Sequence, residues 1–112
     1  MKKVIKYLLI LWFVNQCTTI LADNEIFEAE ISIKDHKFHP ENLEVPQKVK
    51  IRLTVKNLDD TIEEFDSIDL RREKIIPGHG QVHIVLAPLK PGIYNFVGEF
   101  HHETAKGCIV VK

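Results

Sequence analysis

The stretch "KVKIRLTVKN", Lys48–Asn57, alternates without a break. Val49, Ile51, Leu53 and Val55 share one face, and Lys48, Lys50, Arg52, Thr54 and Lys56 share the other. Successive side chains of a strand point to opposite sides, so this pattern reads as an antiparallel strand with one dry and one wet face. "EAEISIKD" repeats it through Ala29, Ile31 and Ile33, and "QVHIVLA" through Val82, Ile84 and Leu86. "GIYNFVGEF" and "GCIVVK" read as strands from their β-branched and aromatic content. Between the runs stand "FHPEN", "VPQ", "NLDDT", "IPGHG" and "PLKPG". In Pro77-Gly78 and Pro91-Gly92 the proline presets φ and the glycine accepts a positive φ. Short strands separated by turns, with no helical period beyond the first residues, predict an all-β sandwich or small barrel. The acid-rich "LDDTIEEFDSIDLRREKIIPG" is expected to be an irregular segment crossing between the sheets.

The amino terminus has a different character. Lys2, Lys3 and Lys6 precede the apolar "YLLILWFV", and "TILAD" offers Ala22 as a cleavage point, the pattern of an export signal over residues 1–22. A spanning helix needs roughly 20 apolar residues, and Asn15 and Gln16 interrupt this one early. "VNQC" lacks the small residues that lipid attachment at Cys17 would require. The expected mature domain is residues 23–112, exported to the periplasm. Loss of three lysines leaves 12 basic against 16 acidic residues, a net charge of −4 with histidines neutral. Such a surface argues against a nucleic-acid partner and favours cations. A domain this small buries only about 60–65% of the surface its unfolded chain exposes. Only Cys108 survives cleavage, so no internal disulfide can help, and its place beside "IVVK" predicts a buried thiol.

The side chains that carry chemistry collect in "GEFHHETAKG", Gly98–Gly107, and in "EEFDSIDLRREKIIPG". These two stretches, together with "F-x-P" at Phe38–Pro40, the strand ending in Asn57 and "PLKPGIYNF", resemble a cupredoxin domain, a Greek-key β-sandwich. More closely they resemble the cupredoxin-like periplasmic proteins that accompany bacterial iron-permease systems. In a blue-copper member a histidine follows the strand that ends in asparagine, a cysteine follows "Y-x-F", and a histidine and a methionine come in the next loop. The matching positions here are Glu63, Gly98 and His101, and the one methionine is the initiator. The resemblance therefore implies no blue-copper centre, because thiolate and imidazole together hold both copper oxidation states.

What remains is carboxylate and imidazole: Glu63 or Glu64, Glu73, Glu99, His101 and His102, with Glu103 nearby. Alternation lets only one of Glu63 and Glu64 face inward, and Glu63 shares the face of Phe65. The resemblance favours Glu64, because iron-associated members carry an acid directly before the aromatic residue. Glu73 is either a further ligand or an ion-pair partner of Arg71, Arg72 or Lys74. His101 is preferred to His102 by position, with Glu99 or Glu103 able to support it from behind. His36 and His39 are candidates for a second site, whereas His79 and His83 are read as surface residues. Oxygen with imidazole suits iron, copper(II), zinc or manganese better than copper(I), with iron the first choice and copper the second. The resemblance implies an iron- or copper-binding protein assisting iron oxidation or delivery to a membrane iron permease. A copper carrier without redox turnover, and a metal-free sandwich acting as an interaction module, are the rival readings. No nucleophile–base pair points to an enzyme acting on an organic substrate. A homodimer stays open.

Overall fold

A computed structural model describes residues 25–112. The export signal, its cleavage at Ala22 and Cys17 lie outside the described residues. Nine strands follow in chain order: β1 Ile26–Lys34, β2 Lys37–His39, β3 Asn42–Val45, β4 Lys50–Asn57, β5 Glu63–Ser67, β6 Arg72–Ile76, β7 Gln81–Leu86, β8 Gly92–Gly98 and β9 Lys106–Val111. They form two sheets, β2-β1-β4-β7 and β3-β9-β8-β5-β6, stacked as a Greek-key sandwich. The stretch that predicted the fold is β4, at the middle of the first sheet. Ile51, Leu53 and Val55 are fully buried there, and Val49 is only partly covered. β4 pairs antiparallel with β7 but parallel with β1, so the expectation of purely antiparallel pairing is corrected. A single sequence carries the dry-face pattern but not the direction of the neighbour.

The acid-rich stretch is not irregular. Glu63–Ser67 and Arg72–Ile76 form an antiparallel hairpin, with Glu63 opposite Ile76 and Asp66 opposite Glu73. Glu63, Phe65 and Ser67 are the buried residues of β5. Two of the three are polar, so the inward face left no apolar alternation to read. β6 is an edge strand exposed at four of its five positions, which hides its period as well.

The core is built on three aromatic rings, one from each of three strands. Phe96 lies 4.9 Å from both Phe38 and Phe65, and Phe38 meets Phe65 edge-on at 6.2 Å. Ile31, Ile33, Ile76, Ile109 and Val111 pack with them in one continuous cluster. Near one end of the sandwich, Asp35 (φ 53°) and His36 (φ 58°) make a two-residue hairpin turn between β1 and β2. Asp and His tolerate the left-handed region better than most residues, and paired positive φ values match the strand twist. The Asp59 carboxylate, from the loop after β4, accepts both turn amides, Asp35 N at 2.8 Å and His36 N at 3.0 Å. Burial works against its charge, but those amides and the fields of His36 and Lys34 hold its carboxyl below the ordinary range.

Candidate metal centre

Four pieces of chain converge at this end: the start of β5, the end of β8, the 3-10 turn Glu99–His101 that follows it, and the β1–β2 turn. Strand β8 carries the chain inward to Gly98, where pairing with Phe65 of β5 fixes it. The chain then turns back, with Ala105 N donating to His101 O at 2.8 Å and Gly98 N to Ala105 O at 2.9 Å. This small loop holds His101 over the mouth of the sandwich.

Glu63, not Glu64, meets His101. Its Oε2 lies 2.7 Å from His101 Nδ1, and its Oε1 accepts the amides of Glu64 and Phe100, each at 2.9 Å. The carboxylate is 1% exposed and has every partner it needs. Strand alternation dictates this, since Glu63 lies on the face of Phe65 and Glu64 on that of Asp66. The preference for Glu64 as the inward acid is therefore corrected. An ionised carboxylate at this position can only accept, a pairing that would put the imidazole N–H on Nδ1 and leave Nε2 as the nitrogen able to bind a metal.

The carboxylate also accounts for the missing cysteine. A Cβ built on Gly98 would stand 2.8 Å from Glu63 Cδ and 2.7 Å from Ala105 Cβ. Real Cβ atoms do not approach so closely, so no side chain fits at this position while Glu63 points inward. The space a cysteine would need is filled by a carboxylate, and the residues present do not fit a blue-copper ion.

His36, a second-site candidate from the sequence, stands instead with His101. Its ring stacks on His101 with centroids 3.6 Å apart and planes 12° from parallel. Its Nδ1 is 3.5 Å from Asp59 Oδ2. Thr104 Oγ1 donates to His36 O at 2.8 Å and so ties the two loops together. An open depression lined by His36, His101, His102, Glu99 and Glu103 lies over this pair. His102 and Glu103 are exposed on its rim. His39 is exposed on β2, with Nε2 3.4 Å from Lys34 O, and does not join the group.

Glu64, Glu73 and Glu99 form a second, acidic group outside the sandwich, with Glu99 also bordering the depression. Glu64 is partly desolvated, which raises its pKa, and Glu73, Asp66, Glu99 and Glu63 raise it further. Six candidate residues thus divide into an interior pair, Glu63 and His101, an outer carboxylate group, Glu64, Glu73 and Glu99, and His102 on the rim. Among the described residues no three His, Cys, Asp or Glu side chains stand together as a ready cage for an ion.

Two surface expectations agree with the structure. His83 lies on the outer face of β7 against Thr54 Oγ1 at 2.9 Å, and His79 sits in a turn beside Asp60. Cys108 does not match its expectation. It is half-buried rather than buried, with Sγ 3.2 Å from Asn42 Oδ1, because alternation along β9 gives the buried face to Ile109 and Val111 and puts Cys108 on the other. Asp59 went unnoticed in the sequence. An aspartate two residues past a strand-ending asparagine was its only signal.

Residues 4–111 match the family model described as "Cupredoxin-like domain". Uncharacterized protein RP394 of Rickettsia prowazekii (strain Madrid E) is 56% identical over 90 residues, covering 80% of this chain and 72% of that protein. Among solved structures, auracyanin A, a "blue" copper protein from Chloroflexus aurantiacus, superposes with a TM-score of 0.67 at 13% identity, over 79% of this chain and 100% of its own. A purple cupredoxin from Nitrosopumilus maritimus gives 0.59 at 21% identity, over 75% and 99%. The metal binding domain of the Streptococcus pneumoniae D39 Cu(I) exporting P-type ATPase CopA gives 0.63 at 16%, over 80% and 97%. At these identities the likeness is one of fold.

Proposed function

Because the chain belongs to the cupredoxin-like domain family, we propose that it is an exported, periplasmic metal-binding protein that takes copper(II) on the outward edge of His101. One observation carries the reading: the buried carboxylate of Glu63 stands 2.7 Å from His101 Nδ1. Metal-bound imidazoles characteristically hand their other N–H to a carboxylate, which fixes the tautomer and strengthens the ligand. Imidazole and oxygen donors without thiolate suit copper(II) rather than copper(I). A solved relative in fold is a "blue" copper protein, which makes copper the first metal to test. The filled space at Gly98 separates this chain from such centres, so the proposed task is binding and carriage rather than electron transfer through a blue-copper site. Titration of the purified protein with copper(II) beside His101→Asn tests it. Wild type should bind one equivalent and the variant should lose that binding; equal binding by both would remove His101 from the site.

The outer carboxylates favour a second reading. Glu64, Glu73 and Glu99, with Asp66, supply hard oxygen donors, which stabilise iron(III) over iron(II) and make oxidation easier. On this reading iron is cargo bound for a membrane permease. His101 would hold copper(II), which when bound would supply a one-electron acceptor for iron(II) held by these carboxylates. Iron(III) binding that falls in Glu64→Gln and Glu73→Gln but survives His101→Asn would support it. Binding that none of the three alters would reject it.

A further inference from the structure

We propose that His36 is the second imidazole ligand of the metal bound at His101, forming a two-histidine copper(II) site between the β1–β2 turn and the loop after β8. The inference rests on the reading of His101 as a metal ligand and adds a residue from the other sheet. Three observations carry it. The two rings are already apposed, with centroids 3.6 Å apart. Both are backed on the same atom: Asp59 Oδ2 stands 3.5 Å from His36 Nδ1, as Glu63 Oε2 stands 2.7 Å from His101 Nδ1. Each Nδ1 therefore faces an acid from its own side of the sandwich, which leaves Nε2 as the ligating nitrogen of each ring, and both histidines line the depression. The backbone under His36 is also fixed from several directions. Asp59 holds its amide, Thr104 holds its carbonyl, and φ is 58°.

In the stacked arrangement no ion lies in both ring planes, so binding turns one ring. His36 is the one that turns. Its side chain is 41% exposed against 28% for His101, and its carboxylate is the more distant. Two imidazole nitrogens, completed by water or by an oxygen of Glu99 or Glu103 on the rim, make the tetragonal nitrogen–oxygen set that copper(II) prefers. Among the described residues no three His, Cys, Asp or Glu side chains are already arranged around one point, so the site is completed only when a ring turns and a rim oxygen or water joins it.

Electron paramagnetic resonance of the copper(II) protein tests this, because nitrogen superhyperfine structure counts the coordinated imidazoles. Wild type should show two nitrogens. His36→Asn should show one and bind copper(II) about tenfold more weakly or worse. Asparagine tolerates the left-handed backbone at this position, so the variant should keep its circular dichroism and thermal melt. His102→Asn should still show two nitrogens. A single nitrogen in wild type, or two nitrogens in His36→Asn, would overturn the role of His36 while leaving His101 in place. Two nitrogens in wild type that fall to one in His102→Asn would overturn it equally. Failure of wild type to bind copper(II) would overturn both this proposal and the reading beneath it.

Discussion

A Cβ added at Gly98 would meet Glu63 Cδ at 2.8 Å and Ala105 Cβ at 2.7 Å, so the glycine and the glutamate are one feature. Glu63→Ala removes the acceptor of His101 Nδ1 and of two backbone amides in a 1%-exposed position. It should cost about 3 kcal/mol in urea unfolding, the scale of breaking a buried pair. Gly98→Ala should cost about 1–3 kcal/mol through overpacking. Together they should cost less than the sum, because the first change vacates part of the space the second fills. Additive losses would show that the two residues do not share that space. Outside the sandwich, the folded state holds the Glu64 proton more tightly than the unfolded chain does, because of desolvation and then its acidic neighbours. The stability this gives is present at low pH and is lost as the pH rises through the folded value, so at neutral pH the ionised side chain works against the fold. Glu64→Gln should therefore melt slightly higher than wild type at pH 7, with the difference closing near pH ~4. A gap of constant size across that range would count against the carboxylate cluster.

At the scale of elements, Asn57 joins β4 to the hairpin that supplies Glu63. Its Nδ2 donates to Thr61 O at 2.8 Å and to Ile76 O at 3.1 Å, and its Oδ1 accepts Asp59 N at 3.1 Å. The same loop is closed by Asn57 N to Gly80 O and Leu58 N to Ile33 O, both 2.8 Å. Asn57→Ala leaves three backbone groups short of partners at a buried position. We expect a loss of about 2–3 kcal/mol in denaturant midpoint experiments. The Asp59 support of the β1–β2 turn should loosen with it, visible as faster amide exchange at Asp35 and His36. Unchanged exchange would mean that the turn holds without this loop. The elements also show where reading the sequence works. β4 and β7 were legible because their buried positions are apolar. β5 and β6 were not, because one buries Glu63 and Ser67 and the other covers a single residue.

Across the whole molecule, one apolar cluster runs between the two sheets, and the candidate centre is confined to one end of it. The β1–β4 register starts at Ile26 opposite Lys50 and ends at Ile33 opposite Asn57, next to the His36 turn. The first described residues therefore lie at the pole away from His101. The Glu63 carboxylate is partnered within the protein by His101 and by the amides of Glu64 and Phe100, so metal removal would leave no buried polar group unpaired there. A chelator should leave the melting temperature of the purified protein unchanged. Copper(II) in hundredfold excess over its dissociation constant should raise it by on the order of 10 °C, as any ligand of the folded state alone must. A large fall in chelator would show that metal, not the ion pair, closes this end.

Alternation, turn dipeptides and the order of motifs determined the sandwich, its core strands and the loop that carries His101, because those depend on which neighbouring residues along the chain avoid water. Tertiary structure alone decided which glutamate meets that histidine and which second imidazole stands over it. Glu63 faces inward because the rest of β5 pairs where it does, and His36 meets His101 because Asp59 holds its turn amides while Thr104 ties its carbonyl to the loop after β8. Such choices are made by packing between segments distant in the chain, and no local pattern records them.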